Sequence, residues 1–144
     1  MEERFKSAIC VDLLLTKTVD EHLEILLMKR KNTGFNDGEF ELPGGHLEKN
    51  EDLFDAMIRE SKEELLIDVK KNDLKLVQIM HHYSGERINF IFELQCNDYN
   101  PLIGETDKCD ELQWFRLNEI PNNISEKMKT IINNYIENRL YDKM

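Results

Sequence analysis

Three glutamates at helical spacing are the residues of this sequence best suited to chemistry. Glu60, Glu63 and Glu64 stand three and four positions apart, so they become neighbours if this segment is a helix. Like charges at that spacing destabilise a helix by roughly 0.2–0.5 kcal/mol per pair. Hard divalent cations such as Mg²⁺ bind carboxylate oxygens and usually the phosphate oxygens of a substrate as well. From the three glutamates alone, two interpretations stay open: a metal-binding face, or an exposed acidic face of an acidic protein.

The helix that carries these glutamates follows a glycine turn. Leu42-Pro43-Gly44-Gly45 interrupts any regular element, because glycine accepts positive φ angles and close backbone approach. We expect Asn50 to cap the helix, with Glu51 and Asp52 in its first turn, where negative charge suits the helix dipole. The pattern predicts a helix to about Leu65 with one apolar stripe facing a core. That stripe consists of Phe54, Met57, Ile58, Ser61 and Leu65.

The spacing from the second glycine through this helix resembles the signature of the Nudix hydrolases. That signature reads G-x5-E-x7-R-E-U-x-E-E-x-G-U, with U a bulky apolar residue, and the resemblance covers residues 45–67. Ser61 replaces an apolar residue of the signature, and Leu66 replaces the glycine at the helix end. Because leucine resists the left-handed conformation of a glycine cap, we expect the helix to end differently, a residue or two later.

The resemblance implies a site for Mg²⁺, with Mn²⁺ as the alternative metal. By that resemblance Glu63 and Glu64 are the primary metal ligands, and Gly45 contributes its backbone carbonyl. Glu60 is a further ligand or the general base. A Nudix enzyme of this kind uses the metal to neutralise the charge of a polyphosphate and to help ionise a water molecule.

A further carboxylate is implied by a second resemblance, outside the signature. Residues 105–115 resemble the segment E-P-x-K-C-x-x-L-x-W-F of small nucleoside triphosphate pyrophosphatases of this family, with Thr106 in place of proline. This makes Glu105 the candidate for an additional ligand or general base, and the alternative is a solvated loop acid. The choice of Glu60, Glu63 or Glu105 as the base stays open.

Charged residues around the signature are assigned by the same resemblance. Glu51 and Arg59 form a structural pair that orients the glycine turn against the helix. Arg30 and Lys31, at the end of a predicted strand, either bind the phosphates of the substrate or form a solvated basic edge. Phe35 follows in a glycine-containing loop, where we favour packing over stacking against a base.

Composition narrows the class of protein. The chain has 144 residues, 40% of them hydrophobic and 33% charged, and we expect one globular Nudix domain over residues 1–144. No apolar run approaches the ~20 residues of a membrane span, and the N-terminus lacks a signal-peptide pattern. Three widely spaced cysteines fit a cytoplasmic protein better than a disulfide or zinc framework. A net charge of −10 argues against a nucleic-acid polymer as partner but allows a small nucleotide carried with Mg²⁺.

The remaining pattern predicts an α/β fold. Apolar segments indicate strands over 5–15, 23–29, 74–81, 88–94 and 112–115, with a turn over 16–21. A brief helical turn is predicted over 117–121, and a long amphipathic helix over 124–140. Two helices around a mixed β-sheet make an α/β/α sandwich, and the resemblance implies the Nudix topology.

The implied activity is hydrolysis of a phosphoanhydride bond in a nucleotide. A nucleoside triphosphate, cleaved to monophosphate and pyrophosphate, is the favoured substrate, because the chain is short and shows no added N-terminal dimerisation segment. Tyr83 keeps dinucleoside polyphosphates as an alternative, and ADP-ribose is another. A nucleotide-binding module without turnover is the alternative from a different class, although the retained glutamates favour an enzyme. The identity of the base and the oligomeric state stay open.

Overall fold

A mixed β-sheet with one helix on each face forms this protein, as seen in a computed structural model that describes residues 2–144. The strands are β1 (Ala8–Val19), β2 (His22–Arg30), β3 (Phe40–Glu41), β4 (Gly44–His46), β5 (Lys75–His82), β6 (Arg87–Gln95), β7 (Cys109–Arg116) and β8 (Tyr141–Lys143). The helices are α1 (Leu53–Leu65) and α2 (Glu126–Ile136). No helix within residues 2–144 has the length and apolar character needed to cross a bilayer.

Strand β1 is the centre of the sheet. The main strand order is β3-β2-β1-β6-β5-β8, while β4 pairs with β1 and β7 pairs with β2. β1 runs parallel to β6, with Cys10 opposite Asn89 and Asp12 opposite Ile91, and β5 runs parallel to β8. The other pairs are antiparallel. This topology brings the glycine strand β4 alongside β1.

Alternate residues of β1 face two separate apolar clusters. Val11, Leu13 and Leu15 pack in the cluster that α1 covers, whereas Leu14 packs in the cluster that α2 covers. This is the two-residue alternation of a strand that is buried on both faces. The arrangement confirms the predicted α/β/α sandwich with a mixed sheet.

The first hairpin is tighter than the sequence predicts. β1 runs on to Val19, so the predicted turn over 16–21 is reduced to Asp20 and Glu21. Both residues have positive φ, 50° and 67°, as in the two-residue turns that match the twist of paired strands. The strand also begins later than predicted, at Ala8.

The C-terminal segment contains two elements where the pattern predicts one. Ser125 caps α2 by accepting a 3.1 Å hydrogen bond from the Met128 N–H, and the helix ends at Ile136. Asn138 has φ of 57°, and the chain then turns to add β8 beside β5. The predicted helix over 124–140 was therefore too long at its C-terminal end, because the positive φ of Asn138 stops the helix just after the last residue of its apolar stripe, Ile136. The predicted helical turn over 117–121 was wrong, since that segment is a turn without helix.

Candidate active site

The start of α1 is set by an aspartate pair. Asp52 accepts a 2.8 Å hydrogen bond from the Asp55 N–H, and the Asp55 side chain accepts one of 3.1 Å from the Asp52 N–H. This reciprocal capping box satisfies two N–H groups that the helix leaves free. Asn50 has φ of 69° and lies outside the helix, so the prediction that Asn50 caps it was wrong.

The end of α1 is held by a distant loop. The carbonyl oxygens of Glu64 and Leu65 accept hydrogen bonds of 2.9 Å from the N–H groups of Gly104 and Leu102. Leu66 adopts the left-handed conformation with φ of 55° and is half exposed. The expected extension past Leu65 was therefore wrong. A non-glycine residue in this conformation costs about 1–2 kcal/mol, and hydrogen bonds from the loop offset that cost.

Gly104 brings the loop into contact with this helix end. A Cβ added at Gly104 would lie 2.0 Å from the carbonyl oxygen of Glu63, which no side chain can tolerate. Glycine is therefore needed where the loop crosses α1. The next residue, Glu105, is brought by this crossing to the same side as the glutamates of the helix.

One cavity of about 500 Å³ contains the acidic residues that the sequence singled out. Glu60, Glu63 and Glu64 line it from α1, Gly45 lines it from β4, and Glu105 lines it from the loop. A Cβ added at Gly45 would lie 2.3 Å from Oε1 of Glu60. Only glycine allows the carboxylate to approach the backbone this closely. We call this space the acidic cavity.

Arg59 joins the glycine strand to α1 from outside the acidic cavity. Its Nη2 and Nε donate to the two carboxylate oxygens of Glu51 at 2.7 and 3.1 Å, and Nη2 also donates to the His46 carbonyl at 3.0 Å. Its Nη1 lies 2.8 Å from Glu60 Oε1 and 3.4 Å from Glu63 Oε2. The Glu51 carboxylate also accepts a bond from the Glu48 N–H, which ties the chain between β4 and α1 to the same arginine.

Residues 6–135 match the model of the NUDIX domain family. This chain belongs to the Nudix hydrolase family. The match includes all the residues of the acidic cavity, and it confirms the resemblance that the spacing of residues 45–67 indicated.

Named relatives of this Nudix protein hydrolyse different nucleotides. An 8-oxo-dGTP diphosphatase of Proteus vulgaris is 32% identical over 90 residues, which cover 62% of this chain and 80% of that protein. An ADP-ribose pyrophosphatase of Methanocaldococcus jannaschii is 34% identical over 116 residues, which cover 79% of this chain but only 64% of that protein. Among solved structures, a MutT NUDIX hydrolase of Burkholderia pseudomallei shares the fold, with a TM-score of 0.73 and 24% identity over 89% of this chain and 97% of that chain.

The electrostatics of the acidic cavity favour a protonated or neutralised carboxylate. Burial, followed by repulsion from Glu60, Glu105 and Glu41, raises the pKa of Glu64 to about 9. The Gly44 N–H donates a 3.0 Å hydrogen bond to Glu64 and only partly opposes this shift. Burial also raises the pKa of Glu60, against the influence of Arg59. Acids that repel one another in this way are stabilised by added positive charge.

The donor set of this Nudix site suits a hard divalent cation. Carboxylate and carbonyl oxygens are the ligands that Mg²⁺ prefers, and Gly45 holds its backbone directly against Glu60. Within residues 2–144, no three His, Cys, Asp or Glu side chains converge closely enough to hold a metal as they stand. Instead, the Arg59 guanidinium forms ion pairs with one carboxylate oxygen of Glu60 and one of Glu63. Glu63 is about half exposed, so a change of its rotamer is easily accommodated.

The two basic residues predicted to bind substrate lie in different surroundings. Arg30 lines the acidic cavity, donates to the Phe35 carbonyl at 2.7 Å and pairs with Glu41. Lys31 does not line that cavity, and its ammonium lies 3.6 Å from Asp110. β2 ends at Arg30, so Lys31 lies beyond the strand, where it pairs with Asp110 of β7.

A second cavity of about 240 Å³ adjoins the acidic one, and the two share Arg30, Glu41, Gly44, Gly45 and His46. Asp12 of β1 and Asn89 of β6 line this adjoining cavity, and the sequence analysis overlooked both. The available signal was a polar residue between apolar neighbours in each of two strands. Phe35 also lines it and is 61% exposed, so the preference for a packing role was wrong.

A larger cavity lies elsewhere. It measures about 730 Å³ and opens between the end of α1 and the loop after β6. One of its polar groups is already paired: the Tyr99 hydroxyl donates to Asp73 at 2.6 Å and accepts from the Lys70 N–H at 3.1 Å. It contains no signature glutamate and no glycine. The volume of a cavity alone therefore does not identify the active site, and the acidic cavity is the candidate.

Proposed function

We propose that this Nudix protein is a Mg²⁺-dependent pyrophosphatase that cleaves a nucleoside triphosphate into the monophosphate and pyrophosphate. The observation that carries the proposal is the acidic cavity, which Glu60, Glu63, Glu64 and Glu105 line together with the glycine strand β4. These four acids, with Glu41 and Glu48 in the same lining, make the cavity poorly suited to an anionic substrate alone. They suit a polyphosphate that arrives together with divalent cations.

The signature residues are our candidates for the metal ligands. Glu60, Glu63 and Glu64, with the backbone carbonyl of Gly45, would hold Mg²⁺, or Mn²⁺ as the alternative. When bound, such an ion neutralises phosphate charge and lowers the pKa of a coordinated water. Arg59 acts as a positioning residue, because its bonds to Glu51, the His46 carbonyl and Glu60 align the glycine strand with the helix.

Hydrolysis requires an acceptor for the proton of the attacking water. We assign this role to Glu105, whose side chain is about one-third exposed and reaches the acidic cavity from outside α1. A carboxylate in contact with both the cavity and solvent can accept the proton and pass it to bulk water. The new bond joins the water oxygen to phosphorus, and the phosphoanhydride bond breaks to release pyrophosphate. Glu60 and Glu63 are the alternative bases.

The choice of substrate is supported by the loop and by one relative. Residues 105–115 resemble a segment of nucleoside triphosphate pyrophosphatases, and the Proteus vulgaris relative is named for 8-oxo-dGTP. ADP-ribose is the second candidate, favoured by the name of the Methanocaldococcus jannaschii relative. The case for dinucleoside polyphosphates depended on Tyr83, which is exposed and lines neither the acidic nor the adjoining cavity.

A substrate panel tests the proposal. The purified chain is incubated with the common nucleoside triphosphates, ADP-ribose and a dinucleoside tetraphosphate, each with Mg²⁺, with Mn²⁺ or with EDTA, and products are separated by ion-exchange chromatography. We expect monophosphate and pyrophosphate from a triphosphate with Mg²⁺ and no product with EDTA. Release of AMP and ribose phosphate from ADP-ribose alone would favour the second candidate. Nucleotide binding without turnover of any compound would indicate a non-catalytic module.

A further inference from the structure

An unsatisfied acceptor lies at the wall of the adjoining cavity. Asn89 is 2% exposed, and its Nδ2 donates a 2.7 Å hydrogen bond to Oδ2 of Asp12. This bond fixes the orientation of the amide. Its Oδ1 is buried and accepts no hydrogen bond within the described residues. A buried carbonyl without a partner is unfavourable unless a ligand or a water supplies the missing donor.

A second acceptor lies beside the first. Only Oδ2 of Asp12 receives the bond from Asn89, and Oδ1 accepts none from the rest of residues 2–144. Both side chains line the adjoining cavity. The Asp12–Asn89 pair therefore offers two neighbouring acceptor oxygens, each able to receive an N–H group.

The position of the pair matches one end of a nucleotide. The adjoining cavity shares Gly44 and Gly45 with the acidic cavity, so a ligand whose phosphates occupy one can extend its base into the other. Phe35 supplies an exposed aromatic ring at the same cavity, which suits the face of a base. The two features together describe a binding site for a planar ring with polar groups at its edge.

Among the common bases, only guanine presents two adjacent N–H donors on one edge. Its N1–H and its exocyclic amine stand side by side, whereas adenine and cytosine pair a donor amine with a ring acceptor, and uracil and thymine flank one N–H with two carbonyls. We propose that the Asp12–Asn89 pair binds the N1–H and exocyclic amine edge of a guanine-type base and determines the base specificity of the site. This inference rests on the proposed function for the location of the phosphates, but base selection is measurable without turnover.

Binding of non-hydrolysable triphosphates tests the inference directly. Isothermal titration calorimetry of the full chain in Mg²⁺ compares the α,β-methylene analogues of GTP, ITP and ATP. ITP keeps N1–H but lacks the exocyclic amine, and ATP lacks N1–H. We expect the GTP analogue to bind about tenfold tighter or more than the other two. Equal dissociation constants for the three analogues would overturn the inference.

Two substitutions connect that preference to the named pair. Asp12→Asn keeps the shape but can present an amide donor where the carboxylate offered an acceptor, and Asn89→Leu removes the free carbonyl. In both variants the three dissociation constants should come within about threefold of one another, because the site then no longer favours the edge of guanine over those of hypoxanthine and adenine. An unchanged preference for guanine in a folded variant would overturn the inference.

A matched control separates recognition from stability. Gln78 is also a buried amide, on the neighbouring strand β5, but its Nε2 donates to the Ile131 carbonyl at 3.0 Å and it lines neither cavity. Gln78→Leu should keep the guanine preference. If circular dichroism shows that Asn89→Leu does not fold, the base preference of the isosteric Asp12→Asn variant tests the inference. Absence of pyrophosphate release from every triphosphate would refute the proposed function while leaving the measured base preference to be judged separately.

Discussion

The backbone N–H of Gly44 donates a 3.0 Å hydrogen bond to the carboxylate of Glu64, so the glycine strand β4 and the helix α1 meet at one acidic group. That group has its pKa raised to about 9, chiefly by burial and then by neighbouring acids. The arrangement couples the stability of the metal-free protein to its candidate chemistry.

Glu64→Gln should stabilise the metal-free protein at alkaline pH. The pKa of Glu64 is 4.5 when unperturbed and about 9 in the folded state, so stability from its protonated form is full below about pH 4.5 and is lost as the pH rises through about 9. Glutamine does not titrate. Melting curves in EDTA should therefore coincide near pH 4.5 and show the variant increasingly more stable towards pH 9. A difference that stays constant with pH would contradict the assignment.

Glu63→Gln should reduce turnover by about a hundredfold or more, because one of the candidate metal ligands loses its charge. Glu63 is about half exposed, so the melting temperature should change little. The measurement is pyrophosphate release with saturating Mg²⁺. Lys62→Gln is the matched control, since this neighbouring residue of α1 is exposed and pairs with Asp68. Equal activity of the two variants would exclude Glu63 from the site.

Gly104→Ala should behave like loss of Glu105. The added Cβ would clash with the Glu63 carbonyl at 2.0 Å, so the loop must move away from α1 and take Glu105 with it. Turnover of Gly104→Ala, Glu105→Gln and the double variant should fall to similar levels, because the two changes remove one function. Gly85→Ala is the control, since its nearest contact is an ordinary 3.7 Å. Multiplicative losses in the double variant would argue for independent roles.

Arg59→Lys should weaken the link between the glycine strand and α1. Lysine keeps the charge but cannot donate two parallel hydrogen bonds to Glu51 and another to the His46 carbonyl. We expect a lower urea midpoint and about tenfold lower turnover, as for other residues that orient metal ligands. Arg139→Lys, in an exposed pair with Glu137, should leave both quantities unchanged. Full activity of Arg59→Lys would show that activity requires only the positive charge of Arg59 and not its hydrogen-bond geometry.

The acids on α1 were predictable because they are local. Residues three and four apart share a helix face whatever the rest of the chain does, and the signature spacing covers Glu60, Glu63 and Glu64. The ends of the helix were harder to predict from the sequence. Asp52 rather than Asn50 caps the helix, and the left-handed Leu66 depends on bonds from Leu102 and Gly104, which come from a loop far along the chain.

The Asp12–Asn89 pair illustrates what local patterns miss. The two residues are 77 positions apart and meet only because β1 and β6 pair in parallel. Such pairing is decided by tertiary packing rather than by the periodicity of either strand. The same holds for β8, whose three residues become a strand only because β5 lies beside them.

The alternation along β1 also protects the fold against misalignment. Asp12 stands between Val11 and Leu13, which pack beneath α1, so its carboxylate faces the opposite layer. A slip of β1 by one residue would move that carboxylate into the apolar layer beneath α1 and away from Asn89, its hydrogen-bond partner. This cost favours the native register of β1 over an alignment shifted by one residue. The carboxylate of Asp12, which we assign to recognition of the base, therefore also disfavours misaligned pairing of β1.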